Sequence, residues 1–229
     1  MSKDQPISAG RKAELLCRST GARPPAIISW WLGDTKMDAP TKIIESKEAS
    51  GSESLLKWTP LKEQNGKILT CRAEHPKINR LCIESTQMLN VHYMPDVEIH
   101  FGDKVNSNDI EEGDDIYFGC KVDANPRPYK IVWEHNGVQL QNNPANDIVI
   151  TGYVNLAIRK VSRAHAGLYS CIASNVEGDS RSRELQVQIF YKPFCKRKQK
   201  SIIGAALQEP TTVSCEVDAF PTPETFEWT

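Results

Sequence analysis

Apolar and polar residues alternate with a period of two along several short segments of the chain. Every second residue from Ile116 to Val122 is apolar, and the same alternation occurs around Cys171 and from Leu185 to Ile189. Segments with this pattern are separated by turn-forming residues at intervals of roughly eight to twelve positions. Because neighbouring side chains of a strand point to opposite faces of a sheet, the pattern predicts an all-β sandwich.

A cysteine and a tryptophan recur at one fixed spacing in three places. The pairs, each 13 residues apart, are Cys17 and Trp30, Cys120 and Trp133, and Cys215 and Trp228. A small residue and two prolines follow each of these cysteines, and prolines interrupt the hydrogen-bond ladder of a sheet. A second cysteine follows in the first two segments, at Cys71 and Cys171, which are 54 and 51 residues after the first. The spacing indicates three copies of one structural unit.

Two cysteines about 50 residues apart, with a tryptophan 13 residues after the first, resemble the immunoglobulin fold. That resemblance implies two disulfides between the sheets, Cys17–Cys71 and Cys120–Cys171. It also implies that Trp30, Trp133 and Trp228 are the core tryptophans of their units. The implied fold class is all-β, with tandem immunoglobulin-like β-sandwiches that are I-set-like, two complete and one truncated.

The resemblance extends to a corner at the end of the second unit. Tyr169 lies two residues before Cys171, which is the position of the tyrosine corner in immunoglobulin domains. The usual pattern has an acidic residue where this chain has His165, and the first unit has Leu69 at the tyrosine position. We expect these departures to weaken local hydrogen bonding without changing the fold.

Two junctions with a proline, at Pro95 and Pro193, indicate where the units meet. We expect an immunoglobulin-like domain at residues 1–93, an I-set domain at 94–191 and the N-terminal half of a third at 192–229. The third unit lacks a second cysteine and about half of its strands, so we expect the chain to be a fragment of a longer protein. A signal peptide and a transmembrane segment would then lie outside the fragment.

Three cysteines are left without a partner in this scheme. Cys215 would pair in the absent half of the third unit, and Cys195 could pair there too. Cys82 could be a free and partly buried thiol or a site of intermolecular pairing. His75 and His92 lack zinc-ligand spacing relative to Cys82, so no metal site is predicted.

Composition and motifs argue against catalysis and nucleic-acid binding. The net charge is -1, and no glycine-rich phosphate loop, serine-hydrolase elbow or zinc-protease motif is present. We therefore predict no enzyme activity, no cofactor and no small-molecule substrate. The acidic residues at 111–115 are interpreted as a solvated turn, and the basic run at 196–200 as a solvated loop or a heparan sulfate site.

Two longer segments are similar to a particular group within the immunoglobulin proteins. These are residues 23–31 with 69–76, and residues 115–126 with 191–195. They resemble domains two to four of the sidestep family, which are nephrin-like axon-guidance and adhesion proteins. The resemblance implies a single-pass protein at the cell surface whose partners are immunoglobulin-superfamily receptors of the beaten-path group.

The sequence thus predicts a cell-surface recognition protein that binds other proteins through its extracellular part. The alternative is an intracellular array of immunoglobulin domains, as in the giant proteins of muscle, in which thiols remain reduced. The binding residues are not predicted. The exposed sheet face of the second unit and the loop at 175–178 are candidates, although the loop could simply turn the chain.

Overall fold

The computed structural model describes residues 6–38, 41–46, 51–196, 202–204, 206–208 and 210–227 of the chain. Within these residues the secondary structure is β-strands and three single-turn 3-10 helices, so the predicted all-β class is confirmed. The chain divides into two compact units. The first is Met1–Pro95 with the short segments Ala124–Pro128 and Ser174–Asp179, and the remaining residues, including 192–229, form the second. The domain boundaries at residues 93 and 191 stay a prediction.

The first unit is built from two antiparallel sheets. Its strands are β1 (Ile7–Ser8), β2 (Ala13–Thr20), β3 (Ile27–Leu32), β4 (Thr35–Lys36), β5 (Thr41–Ser46), β6 (Gly51–Trp58), β7 (Ile68–Glu74), β8 (Cys82–Met88) and the start of β9 (Val91–Phe101). One sheet has the order β2-β6-β5 and the other β4-β3-β7-β8. Strand β1 pairs in parallel with the first residues of β9, and the 3-10 helix Lys62–Gln64 precedes β7.

The second unit has two sheets of the same kind. Its further strands are β10 (Ile116–Asn125), β11 (Lys130–His135), β12 (Val138–Gln139), β13 (Ile148–Thr151), β14 (Asn155–Ile158), β15 (Gly167–Asn175), β16 (Gly178–Arg181), β17 (Leu185–Val187), β18 (Tyr191–Cys195) and β19 (Val217–Phe220). Strands β9-β10-β14-β13 form one sheet, and β12-β11-β15-β16 the other, where β15 also pairs with β17. Strands β18 and β19 make a separate antiparallel pair.

A disulfide joins the two sheets of the first unit beneath a tryptophan. Cys17 on β2 is bonded to Cys71 on β7, with 6.5 Å between the Cα atoms. Trp30 is buried in the same cluster, and its indole Nε1 donates a hydrogen bond of 3.0 Å to the Ser54 hydroxyl. Because the cross-link closes a loop of 54 residues, it contributes about 4 kcal/mol in the chain-entropy treatment.

The second unit repeats this arrangement. Cys120 on β10 is bonded to Cys171 on β15, with 6.3 Å between the Cα atoms. Trp133 is fully buried, and its Nε1 donates to the backbone carbonyl of Tyr153 at 2.9 Å. The third predicted core tryptophan, Trp228, lies outside the described residues.

Candidate protein-binding surface

The predicted tyrosine-corner residue makes its hydrogen bond to the backbone. The Tyr169 hydroxyl donates to the carbonyl oxygen of His165 at 2.7 Å, and its ring is fully buried. Burial raises the pKa of Tyr169, so the phenol stays protonated and remains a donor. Because the acceptor is a main-chain oxygen, the bond forms with histidine at position 165. In the first unit, Leu69 fills the equivalent place as a buried apolar side chain.

The acidic turn at 111–115 is occupied by intramolecular pairing. The Glu112 carboxylate accepts hydrogen bonds from the Arg163 side chain at 2.9 Å and from its backbone N–H at 3.0 Å. Hydrogen bonding to Arg163 holds the pKa of Glu112 below its usual value. Asp115 accepts from the backbone N–H of Lys160 at 2.9 Å. In the part of the chain that the structure describes, no three potential ligands among His, Cys, Asp and Glu are grouped to hold a metal.

Cys82 is free and exposed, so the expectation of a partly buried thiol is wrong. It begins β8 opposite Glu74, at the end of the β7–β8 hairpin that the loop 75–81 closes, and its side chain is exposed. Desolvation, with smaller contributions from Glu84 and Glu74, raises the thiol pKa above its ordinary value. The thiol pKa is not lowered as in an activated cysteine, so Cys82 behaves as an ordinary exposed thiol.

Cys195 and Cys215 are also exposed and free. Cys195 ends β18 and is in register with Val217 of β19. Of the predicted basic run, only Lys196 is described, and its ammonium lies 3.8 Å from the Glu216 carboxylate. The loop at 175–178 is the turn between β15 and β16, where the backbone N–H of Glu177 donates to the Asn175 side chain at 2.9 Å.

The outer face of the β4-β3-β7-β8 sheet in the first unit carries the features of a protein-binding surface. Paired residues of antiparallel strands share one face of a sheet. Trp30 is in register with Cys71 and points to the core, so the next pairs, Ser29 with Arg72 and Trp31 with Thr70, point outward. We call this outer side the Trp31 face.

An aromatic–arginine cluster lies at the centre of the Trp31 face. The guanidinium of Arg72 lies over the Trp31 ring, 4.6 Å from its centroid. Arg72 Nε also donates a hydrogen bond of 2.7 Å to Glu84 Oε1 on β8, and Nη2 lies 2.7 Å from the same oxygen. The indole Nε1 of Trp31 donates to the Ser29 hydroxyl at 3.0 Å. Stacking and pairing hold the three large side chains in fixed positions, which lowers the entropy lost when a partner covers them.

Exposed apolar side chains surround the cluster. Ile68 and Met88 form a cross-strand pair on this face and are 50% and 68% exposed. Ile27 lies at the opposite end of the face and is 59% exposed. Tryptophan and arginine at the centre, with apolar neighbours, match the composition of residues that dominate binding energy in protein interfaces.

Sequence reasoning missed this surface although a signal for it was present. Trp31 follows Trp30 directly, and a period of two requires the two indoles to point to opposite faces once Trp30 is placed in the core. The partners of Trp31 could not be found in this way, because they depend on the register between β3, β7 and β8.

The comparisons with known proteins agree with this fold. A family model described as an immunoglobulin domain matches residues 99–175, and one described as a CD80-like C2-set immunoglobulin domain matches residues 2–80. The two models together cover more than half of the chain. The chain belongs to the immunoglobulin superfamily. The solved ectodomain of mouse nectin-like molecule 4 has the same fold, with a TM-score of 0.62 and 24% identity over 82% of this chain and 62% of that one.

Curated relatives within the superfamily are similar over nearly the whole chain. Human nephrin is 29% identical over 97% of this chain and 18% of its own length. Cell adhesion molecule 4 of Xenopus laevis is 26% identical over 92% of this chain and 50% of its own length. The chain thus spans half or less of these two relatives. Among the described residues, no helix has the length and apolar character needed to cross a membrane.

Proposed function

We propose that this immunoglobulin-superfamily chain is the extracellular part of a cell-surface recognition protein that binds other proteins and has no catalytic role. The observation that carries this proposal is the cluster of Trp31, Arg72 and Glu84 on an otherwise open sheet face. Trp31 is only partly buried, and the guanidinium stacked on its ring holds it at the surface rather than in the core. Similarity to nephrin and to cell adhesion molecules supports a role in adhesion.

The two inter-sheet disulfides support an extracellular location. Disulfides of this kind persist in oxidising compartments and are reduced in the cytosol. They therefore favour a receptor over the alternative of an intracellular muscle-type array.

The proposal extends to axon guidance through the sidestep-like segments at 23–31, 69–76, 115–126 and 191–195. On that basis the partners would be immunoglobulin-superfamily receptors of the beaten-path group. Part of the first segment forms β3 and part of the second forms β7, the two strands that carry Trp31 and Arg72. The segments that suggest the family therefore include the central residues of the proposed binding surface.

A binding screen with matched variants tests the proposal. The chain, displayed as a multimer, is screened against a panel of extracellular immunoglobulin proteins, and each positive partner is measured again with Trp31→Ala and Arg72→Ala. Removing either residue from the centre of an interface is expected to weaken binding by more than about fivefold, which corresponds to about 1 kcal/mol.

Arg18→Ala is the control, because Arg18 pairs with Glu53 at 2.6 Å on the other sheet of the same unit. It removes an arginine–glutamate ion pair without touching the Trp31 face. If no panel member binds, or if binding is insensitive to both central variants and lost with the control, the proposed surface is wrong.

A further inference from the structure

Strand β8 is an open edge of its sheet. It has the terminal position in the order β4-β3-β7-β8, and no described strand pairs with its outer side. Six of its seven residues are exposed. Exposed edges are usually blunted with lysine, proline, bulges or a covering segment, because they offer unpaired backbone groups to other strands. Strand β8 contains none of these and carries a single charge, Glu84.

The hydrogen bonds at the two ends of the hairpin show which backbone groups of β8 are free. Leu89 donates its N–H to Lys67 and accepts from Gly66, and Leu81 accepts from His75. In an antiparallel pair, alternate residues direct both groups to the same side. The odd-numbered residues of β8 therefore face β7. The even-numbered residues direct both N–H and C=O outward; they are Cys82, Glu84, Thr86 and Met88.

We propose that this edge pairs with the same edge of a second copy of the chain, antiparallel and around a two-fold axis at Ser85. In this register Glu84 lies opposite Thr86, and Cys82 lies opposite Met88, of the other copy. The outward-facing residues of each copy then meet each other, so the ladder contains about eight backbone hydrogen bonds across the axis. Such a contact is isologous and closes as a dimer.

Charge disfavours one neighbouring register of this strand pair. A shift of the axis to position 84 would put two Glu84 carboxylates directly opposite each other, which destabilises a strand pair. With the axis at Ser85 each Glu84 faces a threonine, and its charge is matched by Arg72 of its own copy at 2.7 Å. The pairing also brings Met88, which is 68% exposed, against Cys82.

Ile83 supports the same conclusion from the other side of the strand. Its side chain is in register with Ala73, on the side of the sheet that faces the core, yet it is 73% exposed. In the proposed dimer Ile83 lies opposite Gln87 of the other copy. The pairing thus covers an exposed apolar side chain on each face of the edge, Met88 on one and Ile83 on the other.

The inference goes beyond the proposed function by assigning a second contact surface, and Thr86 provides its test. Thr86→Pro removes an outward N–H while leaving the bonds to β7 in place, and Thr86→Ala keeps the N–H and serves as the control. Sedimentation velocity over a concentration series is expected to show a monomer–dimer equilibrium. We expect Thr86→Pro to weaken it by at least about tenfold and the alanine variant to leave it nearly unchanged.

A cysteine placed at position 88 tests the register. Opposed residues in a hydrogen-bonded pair have Cα atoms about 5.5 Å apart, within the range that a disulfide spans. In a background of Cys195→Ser and Cys215→Ser, Met88→Cys in a glutathione buffer is expected to form a covalent dimer with Cys82 of the other copy. The same protein with Cys82→Ser added is expected to remain uncross-linked.

Several outcomes would overturn the inference. A protein that is monomeric at all concentrations, a dimer that tolerates Thr86→Pro, or cross-linking that survives Cys82→Ser each contradicts it. If the chain does not self-associate but binds a different protein, and Thr86→Pro abolishes that binding, the edge pairs with that protein and not with a second copy. Trp31→Ala should leave self-association intact because Trp31 lies two strands from the edge, so failure of this inference and failure of the proposed function are distinguishable.

Discussion

At the scale of single residues, the molecule uses polar side chains chiefly to fix its own corners and turns. Tyr169 and Glu112 both bond to groups of the segment 163–165, which forms a 3-10 helix before β15. Tyr169 donates to a main-chain carbonyl of this segment, and Glu112 accepts from a main-chain N–H as well as from the Arg163 side chain. This explains why a histidine at position 165 is compatible with the corner.

Replacement of Tyr169 with phenylalanine tests the corner bond. The ring remains in the core, but the carbonyl of His165 loses its donor, so Tyr169→Phe should lower the free energy of unfolding by about 1 kcal/mol. Urea titration followed by circular dichroism measures the change. Tyr153→Phe is the control, because that side chain is 71% exposed, and an equal loss in both variants would contradict a specific role for the corner.

The Glu112–Arg163 pair predicts a dependence of stability on pH. The folded state lowers the pKa of Glu112, so the pair contributes stability above the pKa of an unfolded glutamate and loses it as the pH falls through the lower folded value. The wild-type protein should therefore lose stability more steeply than Glu112→Gln below about pH 4.3. Unfolding midpoints in urea at a series of pH values measure this. Parallel curves for the two proteins would refute the assignment.

At the scale of elements, the direction of each backbone N–H and C=O in β8 determines which proline substitutions the strand tolerates. Odd and even positions differ only in whether their N–H points to β7 or to solvent. The side chains at odd and even positions are almost equally exposed, so their burial does not distinguish the two classes. The distinction affects both stability and association.

Proline substitution at neighbouring positions should separate the two classes. Ser85→Pro removes a hydrogen bond to β7 and is expected to reduce the free energy of unfolding by about 1–3 kcal/mol more than Thr86→Pro does. Denaturant unfolding of both variants, at a concentration where the protein is monomeric, measures the difference. Equal losses would show that the odd–even assignment is wrong.

At the scale of the whole molecule, the two cross-links divide the seven cysteines into protected and reactive sets. Iodoacetamide labelling of the unreduced protein, read by peptide mass mapping, should modify Cys82, Cys195 and Cys215 and leave the other four unmodified. The protected four are Cys17, Cys71, Cys120 and Cys171. Labelling of any of them in freshly purified extracellular protein would argue for the muscle-type alternative.

The fold could be predicted from the sequence because its determinants are local or repeat themselves. The spacing of Cys17, Trp30 and Cys71 is enough to predict a β-sandwich, and the second unit repeats that spacing. The candidate surface could not be predicted in the same way. The contact between Arg72 and Trp31 and the exposure of Cys82 both follow from pairing between strands, which no short motif encodes.

The fluorescence of Trp31 can report whether the surface around it is covered. Trp30 and Trp133 are shielded from solvent, whereas Trp31 is partly exposed. A dissolved collisional quencher such as iodide should reach Trp31 far more readily than those two. In a background of Trp58→Phe and Trp228→Phe, a ligand that docks on this sheet would shield the remaining emission from quenching, so its arrival could be followed by fluorescence without any attached dye.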